Sequence, residues 1–138
     1  MFNEIMVPVD LRHVANLTKT LTIAADLAHK YGARITYVGV TGSEPSAIAH
    51  SPEEYSQKLA QFAASEAAAH GLNTRDHMII AHDPAVDLNH KLADAVQELH
   101  ADLVVMATHL PNVADYVWAS HGGHLATHSK ASVFLVRD

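Results

Sequence analysis

At 138 residues and without a cysteine, the chain has the length of one ordinary domain, 1–138, that needs no disulfide framework. Apolar residues make up 49% and charged residues 17%, a globular composition, and the formal charge of -6 includes no basic run, which argues against nucleic acid as a partner. No apolar run approaches the length of a membrane span and Met1-Phe2-Asn3-Glu4 lacks the basic start of a signal peptide, so a cytoplasmic protein without membrane contact is expected.

The first element is a buried strand, Glu4 to Val9, which leaves Asp10 at its carboxyl end. From Leu17 to Tyr31, apolar residues at Leu17, Leu21, Ala24, Leu27 and Ala28 form one helical stripe, and Gly32 is placed to end it. Ile35 to Val40 reads as a second strand, with Gly39 giving its backbone room for close approach. Thr41 to His50 is a small and polar connection. Ser51-Pro52-Glu53-Glu54 then supplies an N-cap serine, a proline at the first helical position and a glutamate placed to close a capping box. The helix that follows runs to about His70, with Tyr55, Leu59, Phe62 and Ala63 inward and Gly71 as its stop. Met78 to Ala81 is a third, short strand, and His82-Asp83-Pro84 turns into a helix whose apolar positions are Val86, Leu88, Leu92, Ala95, Val96 and Leu99.

The last quarter opens on Leu103-Val104-Val105-Met106-Ala107, a run suited to a strand buried on both faces. After a loop, Ser120-His121-Gly122-Gly123 reads as the start of a short helix, and Val133 to Val136 is a last strand. A helix start fed by a parallel strand offers free N–H groups and the positive end of the helix dipole, an arrangement that suits phosphate. The order β-α-β-α-β-α-β-α-β, with no hairpin signal, predicts an open, doubly wound three-layer α/β/α fold with a five-stranded, mainly parallel sheet.

Two parts of the chain resemble one family together: Ile5-Met6-Val7-Pro8-Val9-Asp10, and Asp102-Leu103-Val104-Val105-Met106-Ala107-Thr108-His109 continuing to Val133-Phe134-Leu135-Val136-Arg137. They resemble the universal stress proteins. The loop His109-x-Pro111-Asn112-Val113-x-x-Tyr116, the pair Ala119-Ser120 and the closing Ser132 to Arg137 look like the small bacterial UspF/UspG-like branch. The resemblance implies an adenine nucleotide alpha hydrolase-like fold, usually a homodimer, with ATP or another adenine nucleotide, accompanied in some cases by Mg²⁺, held at the strand carboxyl ends. It implies that Pro8, Val9, Asp10 and Val40 lie against the base. Ribose and phosphates would meet Ala107, Thr108, His109, Pro111 and Asn112, then Ala119, Ser120, His121 and Gly122. This sequence departs from the pattern at Ala107 and Ala119, where nucleotide-binding relatives commonly have glycine, and each Cβ narrows the approach to phosphate. Leu110 stands where members of the close branch carry a cation.

Several of these residues have a structural reading beside the functional one. Asp10 can orient adenine or assist a phosphate-bound Mg²⁺ through water, or it can cap the turn before the first helix. Ser120 can donate to phosphate or cap the last helix. His121, His124 and His128 share one helical face, which can hold Zn²⁺ or Cu²⁺, with or without His109, or can simply be solvated; no cysteine or carboxylate-histidine motif supports a metal, and no metal ligand is assigned. His109 and His121 can instead serve as protonatable donors to phosphate. Trp118 and Tyr116 suit packing better than stacking on a ligand. The last strand, at an edge in the family's strand order, suits pairing between two chains. The function expected is regulatory nucleotide binding by a homodimer in a stress response. The alternatives are a slow ATPase or phosphoryl-transfer enzyme using His109 or His121, and a nucleotide-free dimerisation module. No nucleophile with a matching base is arranged in the sequence, so an efficient enzyme is not expected and no catalytic residue is assigned.

Overall fold

The structure, a computed structural model, describes residues 1–82, 84–108 and 117–137, and for 84–86 and 117–121 only the course of the backbone. In chain order the elements are β1 (Glu4–Val9), a 3-10 segment (Leu11–Leu17), α1 (Thr18–Tyr31), β2 (Arg34–Thr41), α2 (Pro52–His70), β3 (Thr74–Ile80), α3 (Pro84–Glu98), β4 (Leu103–Ala107), α4 (Val117–His128) and β5 (Ser132–Val136). The five strands form one all-parallel sheet in the order β3-β2-β1-β4-β5.

Alternation along the central strands divides the core in two. Ile5, Val7 and Val9 of β1 with Ile35 and Tyr37 of β2 face α1 and α2, where they meet Leu21, Ala24, Leu59 and Ala63. Met6, Val38, Val104 and Met106 face the other way onto Leu88, Leu92 and Ala95 of α3 and Leu125 of α4. Burial on both faces is why β1 and β4 read as unbroken apolar runs. Each fully buried leucine of this set contributes about 1.5–3 kcal/mol by leaving water.

The helix ends follow their signals. Gly32 and Gly71 adopt the left-handed conformation just past α1 and α2, at φ 63° and 64°. His100 does the same after α3 at φ 53°, without the freedom a glycine would bring. At the start of α2, Ser51 accepts from the Glu54 amide at 3.2 Å, while Glu54 accepts from the amide of His50 rather than that of Ser51, at 3.1 Å. The predicted box therefore closes one residue early.

Three elements differ from the sequence reading. The expected strand Met78 to Ala81 begins at Thr74 and ends at Ile80; Thr74, Arg75, Asp76 and His77 hide it from an apolar pattern because β3 is an edge strand, where charge is tolerated and discourages stray pairing. A 3-10 segment with a kink at His13 precedes α1. The last helix begins at Val117, so Ser120 lies within its first turn rather than at its start. Among the described residues, no helix is long and apolar enough to cross a membrane.

Candidate functional site

The chain leaves β1 toward β2 on one side and returns to β4 on the other, so the order of the strands reverses between β1 and β4. Helices α1 and α4, which neighbour that reversal, lie on opposite faces of the sheet, the arrangement in which open parallel sheets hold ligands outside the strand carboxyl ends. The pairing itself stops short there. β1 and β4 pair only at Ile5 with Leu103 and Met6 with Val104, although β1 continues to Val9 and β4 to Ala107. Pro8 brings no N–H with which to continue the pairing. By contrast, β1 stays paired with β2 to Val9, and β4 with β5 to Ala107.

Parallel strands bring Pro8, Val9, Asp10, Val40, Ala107 and Thr108 to this one edge of the sheet. Pro8, Val9 and Ala107 are buried, so their side chains belong to the wall. Asp10 caps the 3-10 segment, accepting from the Arg12 amide at 3.0 Å, and its two oxygens take a bidentate pair from the Arg12 guanidinium at 3.1 and 2.9 Å. The structural reading of Asp10 is thus the one seen: it holds the turn, and its carboxylate, at the carboxyl end of β1, keeps the Arg12 guanidinium beside it.

Tyr55 connects this corner to α2. Its ring rests on Gly39, where an added Cβ would fall 2.6 Å from the hydroxyl and 2.9 Å from Cε1. Burial first, and then the Asp10 charge, push the phenol well above its ordinary value, while Arg12 and a backbone hydrogen bond with Val40 work the other way. The hydroxyl stays protonated and adjoins the Val40 backbone, which the resemblance assigns to the base. The sequence pattern reads Tyr55 as core only; the local turn sets Arg12 beside Asp10, and the tertiary arrangement brings Tyr55 to the same corner.

On the β4 side, Thr108 turns both of its donors to Val136, the amide at 3.0 Å and the hydroxyl at 3.3 Å from the same carbonyl oxygen. Gly122 faces the sheet: a Cβ there would lie 2.4 Å from Cδ2 of Leu135 and 3.5 Å from Sδ of Met106. It is a packing glycine, and its amide, like that of His121, lies within the helical ladder that begins at Val117. The N–H groups without a partner in that ladder are those of the first turn, before Ser120. His109, Leu110, Pro111, Asn112 and Tyr116 lie outside the described residues, as do the side chains of Trp118, Ala119, Ser120 and His121. Among the described residues, no three ligating groups are gathered as a metal site.

Residues 1–137 match the profile of the universal stress protein family. The chain belongs to that family. The sequence has no significant match among curated proteins. Its fold is similar to that of a universal stress protein family member from Burkholderia pseudomallei, at TM-score 0.69 and 21% identity, covering 97% of this chain and 95% of the other. A universal stress protein solved in complex with cAMP is similar at TM-score 0.67 and 19% identity, with 98% and 97% covered. The universal stress protein of Archaeoglobus fulgidus in complex with dAMP is similar at TM-score 0.63 and 17% identity, with 96% of each chain covered.

Proposed function

We propose that this universal stress protein is a cytoplasmic, single-domain regulatory protein that binds an adenine nucleotide in the crevice between β1 and β4. The observation that carries the reading is the strand order, which reverses between β1 and β4 beside Asp10, where the pairing of the two strands ends early. Family relatives held in complex with cAMP and dAMP support an adenine ligand. The base would rest near Val9, Asp10 and Val40, with Tyr55 behind them. Phosphate would meet the first turn of α4 and the 109–116 stretch, which also carries the UspF/UspG-like likeness. ATP, with Mg²⁺ carried mainly on its phosphates, is the ligand we favour.

The protein would act as a homodimer through β5. That edge strand exposes Phe134 at 43% and Leu135 at 39%, whereas the opposite edge, β3, presents Arg75, Asp76 and His77. An apolar edge with open backbone groups calls for a partner, and a second copy offers a self-complementary one. Nucleotide occupancy would alter a partner surface beside the site, which requires different affinities for two states.

Calorimetric titration with AMP, ADP and ATP, with and without Mg²⁺, tests the reading. Binding that weakens in Asp10→Ala is the expected result; no heat and no thermal shift at millimolar ligand would defeat it. One observation favours a nucleotide-free dimerisation module instead: both Thr108 donors are already taken by Val136. That module predicts a dimer without any heat of binding. Single-turnover hydrolysis by the wild type and His121→Ala separates sensing from slow phosphoryl transfer, since a rate lost in the variant would favour chemistry.

A further inference from the structure

On the face of the sheet covered by α3 and α4, three imidazoles meet away from the crevice. His124 and His128, one turn apart on α4, stack with centroids 4.1 Å apart and planes 8° from parallel. His90 of α3 stands edge-on to His124 at 6.4 Å and 73°. The surrounding hydrogen bonds decide the state of His128. Its Nδ1 lies 3.0 Å from the carbonyl oxygen of His124 and 2.7 Å from the Thr127 hydroxyl oxygen, and that hydroxyl is itself within 3.1 Å of the carbonyl oxygens of Gly123 and His124. A carbonyl oxygen can only accept, so Nδ1 carries a proton, which in the neutral ring leaves the lone pair on Nε2. A ring whose outer nitrogen is bare while its inner N–H is tied to a backbone carbonyl is what metal-ligating histidines commonly show.

We propose that His124 and His128 chelate a divalent transition-metal ion, Cu²⁺ in preference to Zn²⁺, with His90 turning in as a third imidazole. Two histidines four residues apart on one helix face can reach a single ion. Tilting the stacked rings toward each other at their outer nitrogens brings both within about 2.0–2.1 Å of a zinc-sized ion. Among the described residues, no three ligands already surround one point, so His90 closes by side-chain rotation, and water fills the remaining positions. His128 is exposed and His124 partly so, which leaves the ion a path of entry. Imidazole nitrogen without thiolate suits Cu²⁺ above Zn²⁺ in the order of divalent affinities. The bound ion would join α3 to α4.

The test is titration of the untagged protein with Cu²⁺ alone and, separately, Zn²⁺ alone, read by calorimetry, with electron paramagnetic resonance of the copper complex. One ion per chain is expected, Cu²⁺ tighter, with imidazole nitrogen coupling in the spectrum. His124→Ala and His128→Ala should each weaken binding by about tenfold or more, and His90→Ala should weaken it less, while circular dichroism confirms that the variants fold. Wild-type affinity in the His124→Ala/His128→Ala double variant would overturn the proposal, as would a copper spectrum without imidazole nitrogen. Neither result bears on nucleotide binding, which these residues do not serve.

Discussion

Replacing Gly39 by alanine probes the corner on which the crevice is built. The new Cβ would lie 2.6 Å from the Tyr55 hydroxyl, 2.9 Å from Cε1 and 3.1 Å from Cζ. All three atoms belong to a rigid ring, and Tyr55 is only 4% exposed, so the ring has little space into which to retreat. Overpacking of this kind costs about 1–3 kcal/mol, whereas removing a glycine from a strand returns about 0.5–1 kcal/mol, which leaves a net loss of about 1–2 kcal/mol. For a chain of this length the melting temperature should fall by about 4–8 °C. Urea denaturation of wild type, Gly39→Ala, Tyr55→Leu and the double variant measures the effect and its cause. In the Tyr55→Leu background the ring is absent, so the alanine should cost less by about 1 kcal/mol or more. A Gly39→Ala protein as stable as wild type, or an equal penalty in both backgrounds, would refute the argument that the ring is held against the strand.

Three further outcomes follow from local contacts. The Asp102 carboxylate accepts from the amides of Asn3 at 2.9 Å and Glu4 at 3.1 Å, tying the chain start to β4, so Asp102→Ala should lose about 1–3 kcal/mol in denaturant melts; an unchanged midpoint would dismiss the tie. The amide of His50 first, and Lys58 in addition, hold the Glu54 carboxyl below its ordinary value. Its folded pKa is thus below its unfolded one, and the stabilisation is complete above the unfolded value and disappears as pH falls through the folded one. Glu54→Gln should therefore lower the melting temperature at neutral pH and match wild type in strong acid; a gap that persists in acid would contradict this. His100→Gly should gain about 0.5–1 kcal/mol, since glycine takes the left-handed position after α3 without the penalty a Cβ brings, and a destabilised variant would show the imidazole to have a role there.

Most of the scaffold was legible in the sequence because burial on both faces leaves a plain mark. β1 and β4 are apolar runs with nothing to interrupt them, α1 and α2 carry stripes at helical spacing, and Gly32 and Gly71 stand where left-handed helix ends need them. The partial miss at β3 has the same cause in reverse: Arg75, Asp76 and His77 occupy an edge, where one flank meets water and alternation fades. The family likeness was readable at both ends of the chain, and the family profile matches residues 1–137.

Other features depended on atoms distant in sequence. Nothing in the local pattern distinguishes Tyr55 as a core residue from Tyr55 as a neighbour of Asp10, Arg12 and Val40, since the difference arises only when α2 packs against Gly39. Nor could spacing show that Gly122 makes room for Leu135, or that Thr108 gives both donors to Val136, 28 residues away. The sequence determined which segments are buried and in what order they come, because hydrophobic periodicity is a local property of the chain. Only the tertiary structure decided where the strand pairing ends and which polar groups are engaged there, because a donor's availability depends on the carbonyl that folding brings against it.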